Sequence, residues 1–313
     1  MKSIHVITSA FNEEVCIPEL YRQLVDVFEL ESEYSWKLLI IDNGSSDNTW
    51  KIISNISNSD NRVQGVRMSR NFSLDAAFTC GLDLVDSDAA VIMCSDLQDP
   101  PHLISQFLRE FESGYDQVVA KVIRRDSVPL IRRILSRLFY KFANTLTDNQ
   151  IPQGVSDFRL VSKACYLAMR RMREQHRFVR GLFAWTGFKT KEIPMDRPPR
   201  FGGRSHFLGT HLFRVLGWSV QSIISNTTKP LIWISFFGFV SSFLSILLVL
   251  AFSILWLIAG VPFAGFGTIV GLVSLGFSLM FLFTGVIAQY LALIFEQVKD
   301  RPLYLISEKT QEL

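Results

Sequence analysis

The sequence predicts an α/β fold, a doubly wound and mostly parallel sheet, followed by amphipathic juxtamembrane helices and two transmembrane helices. Three observations predict it. Short apolar runs that end in polar or acidic turns alternate with helical patterns over residues 4–101. From Pro230 to Phe295 there is no Asp, Glu, Lys, Arg or His, whereas the chain before Lys229 is mixed like a globular domain. Charged residues make up only 19% of the 313-residue chain, and the mean hydropathy of +0.24 is too apolar for an ordinary soluble enzyme.

Ile4 to Thr8 reads as the first strand and enters SAFNEE, a polar turn that collects Asn12, Glu13 and Glu14. Pro18 opens an amphipathic helix to about Phe28. Trp36 to Ile41 is the next strand and ends in Asp42 and the turn NGSSDNT. Arg62 to Met68 is a third strand ending in SRNFS, and a helix over Leu74 to Leu84 leads to the strand at Val91. That strand, in VIMCSDLQDPP, delivers Asp96 to its carboxyl end before Pro100 and Pro101 stop regular structure.

If these strands run parallel, Glu13, Asp42, Arg70, Asn71 and Asp96 emerge on one edge, where open α/β sheets bind ligands. That convergence points to a nucleotide site. Asp42 can accept hydrogen bonds from a base or ribose, and Gly44, Ser45 and Ser46 leave room for a ligand near the backbone. Asp96 suits a hard cation that keeps waters and binds phosphate oxygens. It equally suits a cap for the helix that the two prolines introduce, and turn chemistry serves the Asp42 segment as well.

The small net charge of +3 gives no uniform basic surface, so no nucleic-acid partner is expected. Cys16, Cys80, Cys94 and Cys165 show no metal or paired spacing and read as reduced thiols. MKSIHVITSAFNEE lacks an apolar stretch long enough for a signal peptide, so a cytosolic domain is expected.

SAFNEE, IIDNGSSDNT, MSRNFS and CSDLQDPP, in that order and spacing, resemble the inverting family-2 glycosyltransferases of the GT-A fold. More narrowly they look like the polyprenyl-phosphate glycosyltransferases, a resemblance that continues through SDFRL, GLFAWTGF, GGRSHF and a terminal RPLY. It implies that Ala10, Phe11, Glu13, Asp42, Ser95 and Asp96 contact the donor nucleotide. It also implies that Asp96 and Gln98 bind Mg²⁺ or Mn²⁺ with the diphosphate, and that Asp96 and Asp157 are catalytic. Asp157 also suits an internal ion pair with Arg159 or the arginine cluster. The family has Asp-x-Asp where this chain has Cys94, Ser95 and Asp96. A buried thiol stays protonated and is a poor ligand for a hard ion, which leaves Asp96 most of the metal site.

Pro129 starts a helical pattern with apolar residues at 131, 134, 135, 138, 142 and 146 and with Arg133, Arg137 and Lys141 as a basic stripe. A solvated face, a nucleic-acid patch and a helix on an anionic membrane surface all fit such a pattern; the apolar segment downstream favours the membrane. Lys121, Arg125, Arg133, Ser136 and Arg137, with Arg204 and His206 of the Gly-rich GGRSHF segment, are the expected phosphate ligands for acceptor and diphosphate. His176 has no partner at metal spacing.

The expected organisation is a glycosyltransferase domain over residues 1–207, a juxtamembrane helix over 208–229, a two-helix hairpin over 230–296 and a cytosolic tail over 297–313. The two spans, about Leu231 to Leu257 and Ile269 to Ile294, exceed the ~20 residues that cross a bilayer core. Basic residues on both outer flanks place both termini in the cytoplasm of a bacterial inner or plasma membrane. Gly and Ser along the spans allow subunit contacts in a homo-oligomer. The expected reaction moves one glucose from UDP-glucose to undecaprenyl phosphate with inversion, upstream of a flippase. GDP-mannose-dependent transfer and a catalytically weak membrane scaffold that binds nucleotide sugar are the alternatives.

Overall fold

In the computed structural model, residues 1–123, 154–175, 177–202, 229–259 and 265–310 are described. The predicted alternation forms from strand β1 (Ser3–Ala10), helix α1 (Cys16–Leu30), β2 (Ser35–Asp42), α2 (Thr49–Ser59), β3 (Val63–Met68), α3 (Leu74–Leu84), β4 (Ala89–Cys94) and α4 (Leu103–Glu112). Then come β5 (Gln117–Val122), β6 (Val155–Ser162), α5 (Lys163–Arg171), α6 (Val179–Trp185), β7 (Thr190–Met195) and, near the C-terminus, β8 (Ile306–Lys309).

These eight strands make one sheet in the order β7-β5-β6-β4-β1-β2-β3-β8. β1 pairs in parallel with both β2 and β4, and β2 with β3, so four carboxyl ends share an edge. β5 and β7 are also parallel, while β6 runs antiparallel to β4 and β5, and β8 antiparallel to β3. The strand order reverses beside β1, and the crevice there lies between β1 and β4.

The period of two along β1 separates the cores. Ile4, Val6 and Ala10 face a cluster built with α1, α2 and α4; Ile7 faces the cluster of α3, α5 and α6. Both faces of the sheet are thus covered, and the central strands read as near-continuous apolar runs. α3 lies so close to β1 that a Cβ at Gly81 would stand 2.2 Å from Ile7 Cγ2.

A second unit contains helices α7 (Lys229–Ala259) and α8 (Phe266–Val298), of 31 and 33 residues. They contain the two expected spans. Among the described residues, however, only Leu275–Val298 is long and apolar enough by composition to cross a membrane, and Leu231–Ser241 is a shorter apolar stretch. The expected juxtamembrane helix, the basic helix from Pro129 and most of the turn between the spans lie outside the described residues. The segment expected as a tail instead supplies β8 to the sheet, a pairing with no local apolar signal in ISEK.

Candidate active site

The turns after β1 and β2 are laced together at the shared edge. Asn12 adopts a left-handed backbone, φ 55°, which Asn tolerates better than most residues. Its N–H donates to Ser45 Oγ at 2.9 Å and its Oδ1 accepts from the Ser46 N–H at 2.9 Å. The Glu13 N–H donates to Thr49 Oγ1 at 2.9 Å, and Glu14 accepts from the Asn48 N–H at 3.0 Å. The third turn joins through Asn43, which accepts from the Phe72 N–H at 3.0 Å and donates to the Ser73 carbonyl at 2.9 Å. Gly44, with φ +75°, permits this approach: a Cβ there would lie 2.6 Å from the carbonyl carbon of Arg70.

Within this frame Asp42 is fully buried. Its Oδ1 accepts from the Ser45 N–H at 3.0 Å. Its Oδ2 lies 3.3 Å from Arg67 Nε but without the alignment of a hydrogen bond. Glu13 is buried too; one oxygen accepts from Arg200 and the other has no partner. Burial pushes both carboxyls above the usual range, against hydrogen bonds and arginine charge that pull them down. Two buried carboxylate oxygens that receive no hydrogen bond, at one sheet edge, are suited to take hydrogen bonds from a polar ligand.

At the end of β4, side chains alternate between closed and open. Ser95, Leu97 and Asp99 are buried, while Cys94, Asp96 and Gln98 are half-buried. Ser95 Oγ donates to the Ser9 carbonyl at 2.8 Å, tying β4 to β1 rather than reaching outward. Asp96 Oδ1 accepts from the Gln98 N–H at 3.1 Å. Between them Leu97 takes φ 60°, a left-handed conformation that costs a branched residue roughly 1–3 kcal/mol and marks a tightly specified turn. The segment after β7 passes over this turn, with the Phe201 N–H 3.4 Å from the Asp96 carbonyl and Gln98 Nε2 3.4 Å from the Pro198 carbonyl.

Asp99, which the sequence reading gave no role, organises the turn from inside. It accepts from the Cys94 N–H at 3.0 Å and from Ser156 Oγ at 3.3 Å. Burial pushes its carboxyl up to about 6. Burial, then the nearby carboxylates Asp99, Asp157 and Asp96, raise the Cys94 thiol well above its ordinary value. Cys94 is therefore an uncharged thiol, in line with its place at the end of an apolar strand.

Asp157, expected to be catalytic, sits on β6 in a forked ion pair with Arg180 of α6, whose Nε lies 2.6 Å from Oδ1. Burial works against its charge, but Arg180, with help from Arg159 and Arg197, holds its carboxyl below the usual range. Of the two ion pairs that the sequence allowed, the one with the arginine cluster forms, through Arg180, and the one with Arg159 does not. Arg159 is spent on the carbonyls of Asp157 and Ser156, at 3.3 and 3.0 Å, and its guanidinium stands 4.5 Å from the centre of the Phe183 ring. Ala10 is buried within β1 and Phe11 is half-buried in the turn beyond it.

Lys121, an expected phosphate ligand, has its Nζ 2.5 Å from Glu192 on neighbouring β7, with both side chains about half exposed. Arg125, Arg133, Ser136, Arg137, Arg204 and His206 lie outside the described residues. Arg180, which ends the basic run from Arg170, and Arg200, which flanks the GGRSHF segment with Arg197 and Arg204, join the site through pairings with Asp157 and Glu13 that the sequence did not reveal. The only signal for them was their place in basic runs, because their partners lie 23 and 187 positions away. Among the described residues no three His, Cys, Asp or Glu side chains converge as a metal cluster.

The family model Glycosyl transferase family 2 matches residues 5–167. The bactoprenol glucosyl transferase of Shigella phage SfV is 30% identical over 99% of this chain and 99% of its own. The uncharacterized glycosyltransferase YkcC of Bacillus subtilis (strain 168) is 31% identical over 97% of this chain and 93% of its own. Among solved structures, glucosyl-3-phosphoglycerate synthase from Mycobacterium tuberculosis in complex with Mn²⁺, UDP and phosphoglyceric acid superposes with a TM-score of 0.49. It is 16% identical, with 71% of this chain and 76% of that chain covered.

Proposed function

The chain belongs to glycosyl transferase family 2, and from that premise we propose that it transfers one glucose from UDP-glucose to undecaprenyl phosphate with inversion. The observation that carries this reading is the strand register. Ala10 lies opposite Asp42 and Ser9 opposite Cys94, so Glu13, Asp42 and Asp96 leave three adjacent parallel strands at one edge. The polyprenyl acceptor is supported by the bactoprenol named for relatives that match nearly end to end. α7 and α8 would hold the chain in the bilayer, with both termini and the sheet domain in the cytoplasm.

In this reading the buried carboxylates at the edge read the donor nucleotide. Glu13 Oε2 and Asp42 Oδ2, both buried and without a hydrogen bond, can accept from its base or ribose. Asp96 and Gln98, both half-buried in the turn after β4, would meet the diphosphate. The donor set fits a hard cation of modest protein coordination, because Asp99 is turned inward and the thiol of Cys94 is uncharged. Mg²⁺ or Mn²⁺ bound there with the diphosphate would supply charge neutralisation of the leaving group.

The acceptor phosphate is already an anion, so attack on the anomeric carbon needs no strong general base. What the site must supply is positioning and positive charge. Asp157 contributes by fixing the guanidinium of Arg180 in a fork. Direct displacement by the phosphate oxygen inverts the sugar, and nucleoside diphosphate leaves.

The test is transfer of labelled glucose from UDP-glucose into extractable lipid by purified full-length chain with undecaprenyl phosphate and Mg²⁺ or Mn²⁺. Labelled lipid whose intact glucosyl phosphate has the inverted, β configuration by NMR supports the reading. Label entering only from GDP-mannose would replace the donor, and nucleotide-sugar binding without transfer from either donor would replace the enzyme with a scaffold.

A further inference from the structure

The donor edge of the sheet is in contact with the last strand of the chain, through one arginine. Arg67 of β3 and Glu308 of β8 stand directly opposite each other across the antiparallel pair, where opposite charges interact favourably. Arg67 Nη1 donates to Glu308 Oε1 at 2.9 Å, and Nη2 donates to the Ser45 carbonyl at 3.2 Å. Nε then faces Asp42 Oδ2 at 3.3 Å. The three nitrogens of the guanidinium are thus each assigned, two of them to the turn that carries Asp42. Glu308 is pinned in its turn, because its Oε2 accepts from Trp50 Nε1 at 2.9 Å. The Arg67 guanidinium lies 6.0 Å from the Trp50 ring centre.

We infer that Glu308 is a positioning residue for the donor site: it fixes the rotamer of Arg67, and Arg67 in turn holds the carboxylate of Asp42 and the Ser45 turn in the geometry that receives the nucleotide. This rests on the family reading of Asp42 as a donor ligand. The physical need is clear from the surroundings. Asp42 is fully buried, its Oδ2 receives no hydrogen bond, and Arg67 is the cation whose charge offsets the burial of its own. An arginine side chain with about a third of its surface exposed is otherwise free to turn toward water. Glu308 is about half exposed, so the pair adds little to global stability and its loss leaves the fold intact.

The experiment compares full-length wild type, Glu308→Gln, Arg67→Lys, the double variant and Thr310→Val in steady-state transfer with UDP-glucose varied. Thr310→Val is the control for edge-strand pairing, since Thr310 Oγ1 accepts from the Gly65 N–H at 2.9 Å and from Ser57 Oγ at 2.8 Å without touching Arg67. The expected result is a donor KM raised about fivefold by Glu308→Gln with kcat unchanged, and no further rise when it is added to Arg67→Lys. Thr310→Val should leave the donor KM at the wild-type value. With a wild type that transfers, an unchanged KM in Glu308→Gln overturns the inference alone. So does an equal rise in Thr310→Val, which would make β8 only a structural edge. A wild type that transfers from no nucleotide sugar overturns the family reading of the donor site and this inference with it.

Discussion

Glu13 and Arg200, 187 positions apart in the chain, meet in an ion pair that is mostly buried at the carboxyl end of β1. The side chains are 8% and 18% exposed, so the partners screen each other more than water does. Arg200 also donates through Nε to the Gly202 carbonyl at 2.7 Å, which shapes the segment crossing over Asp96.

Removing one member of this pair leaves the other charge buried. Arg200→Ala is expected to destabilise the sheet domain by about 3 kcal/mol, read from denaturant unfolding. Adding Glu13→Gln to Arg200→Ala should restore a good part of that loss, since an amide needs no counter-charge. Equal stability of the single and double variants would show that Glu13 already holds a proton at neutral pH.

Asp96 and Cys94 separate the metal reading from simple turn chemistry. Asp96→Asn should abolish transfer while leaving the melting temperature near the wild-type value, and Cys94→Ser should change activity little because the thiol carries no charge. Chelation with EDTA should stop wild-type transfer, and Mg²⁺ or Mn²⁺ should restore it. Full activity of Asp96→Asn in the presence of metal would remove Asp96 from the metal site.

Asp99 makes stability depend on pH in a direction opposite to a salt-bridged acid. Its carboxyl rises from 3.8 to about 6 on folding, so the folded chain holds that proton more tightly than the unfolded chain. The stabilisation is complete below the unfolded value and is lost as pH rises through about 6. Asp99→Asn removes the titration, and between pH 4 and 7 its stability should improve relative to wild type by about 1–3 kcal/mol. A difference that stays constant with pH would place the proton elsewhere, Asp75 being raised to a similar value.

Gly44→Ala tests the junction of the second and third turns. The new Cβ would meet Arg70 Cα at 2.8 Å and Asn71 N at 2.9 Å, both backbone atoms, at φ +75°. A loss of about 2 kcal/mol in unfolding free energy, accompanied by weaker donor binding in calorimetry, is expected. Loss of stability with unaltered donor affinity would separate this junction from the site.

The sheet core and the donor edge were legible in the sequence because β1, β2 and β4 end in runs that are buried on both faces and therefore written as apolar stretches with polar endings, β3 being more mixed. The Asp42 turn and the Asp96 turn follow directly from where those runs stop. Long-range pairings left no such mark. Nothing local to Asp157 tells that it bonds Arg180 rather than Arg159, and nothing local to Glu13 points to Arg200. Asp99 was visible as an acid beside two prolines, but its inward turn depends on the left-handed Leu97, which no residue preference announces. β8 is four residues of mixed polarity whose strand state exists only because β3 offers it an edge.

That last strand also sets an order on biosynthesis. Arg67 and its partner Glu308 are separated by 241 positions. A ribosome adding about 5–20 residues per second therefore releases β3 roughly 10–50 s before β8 can exist. Throughout that interval the outer edge of β3 is open to wrong partners, and both long apolar helices must be made before it can close. A fragment stopped ahead of α7, however soluble, would be missing a strand of its own sheet, and a tag fused close behind Lys309 would burden the same seam.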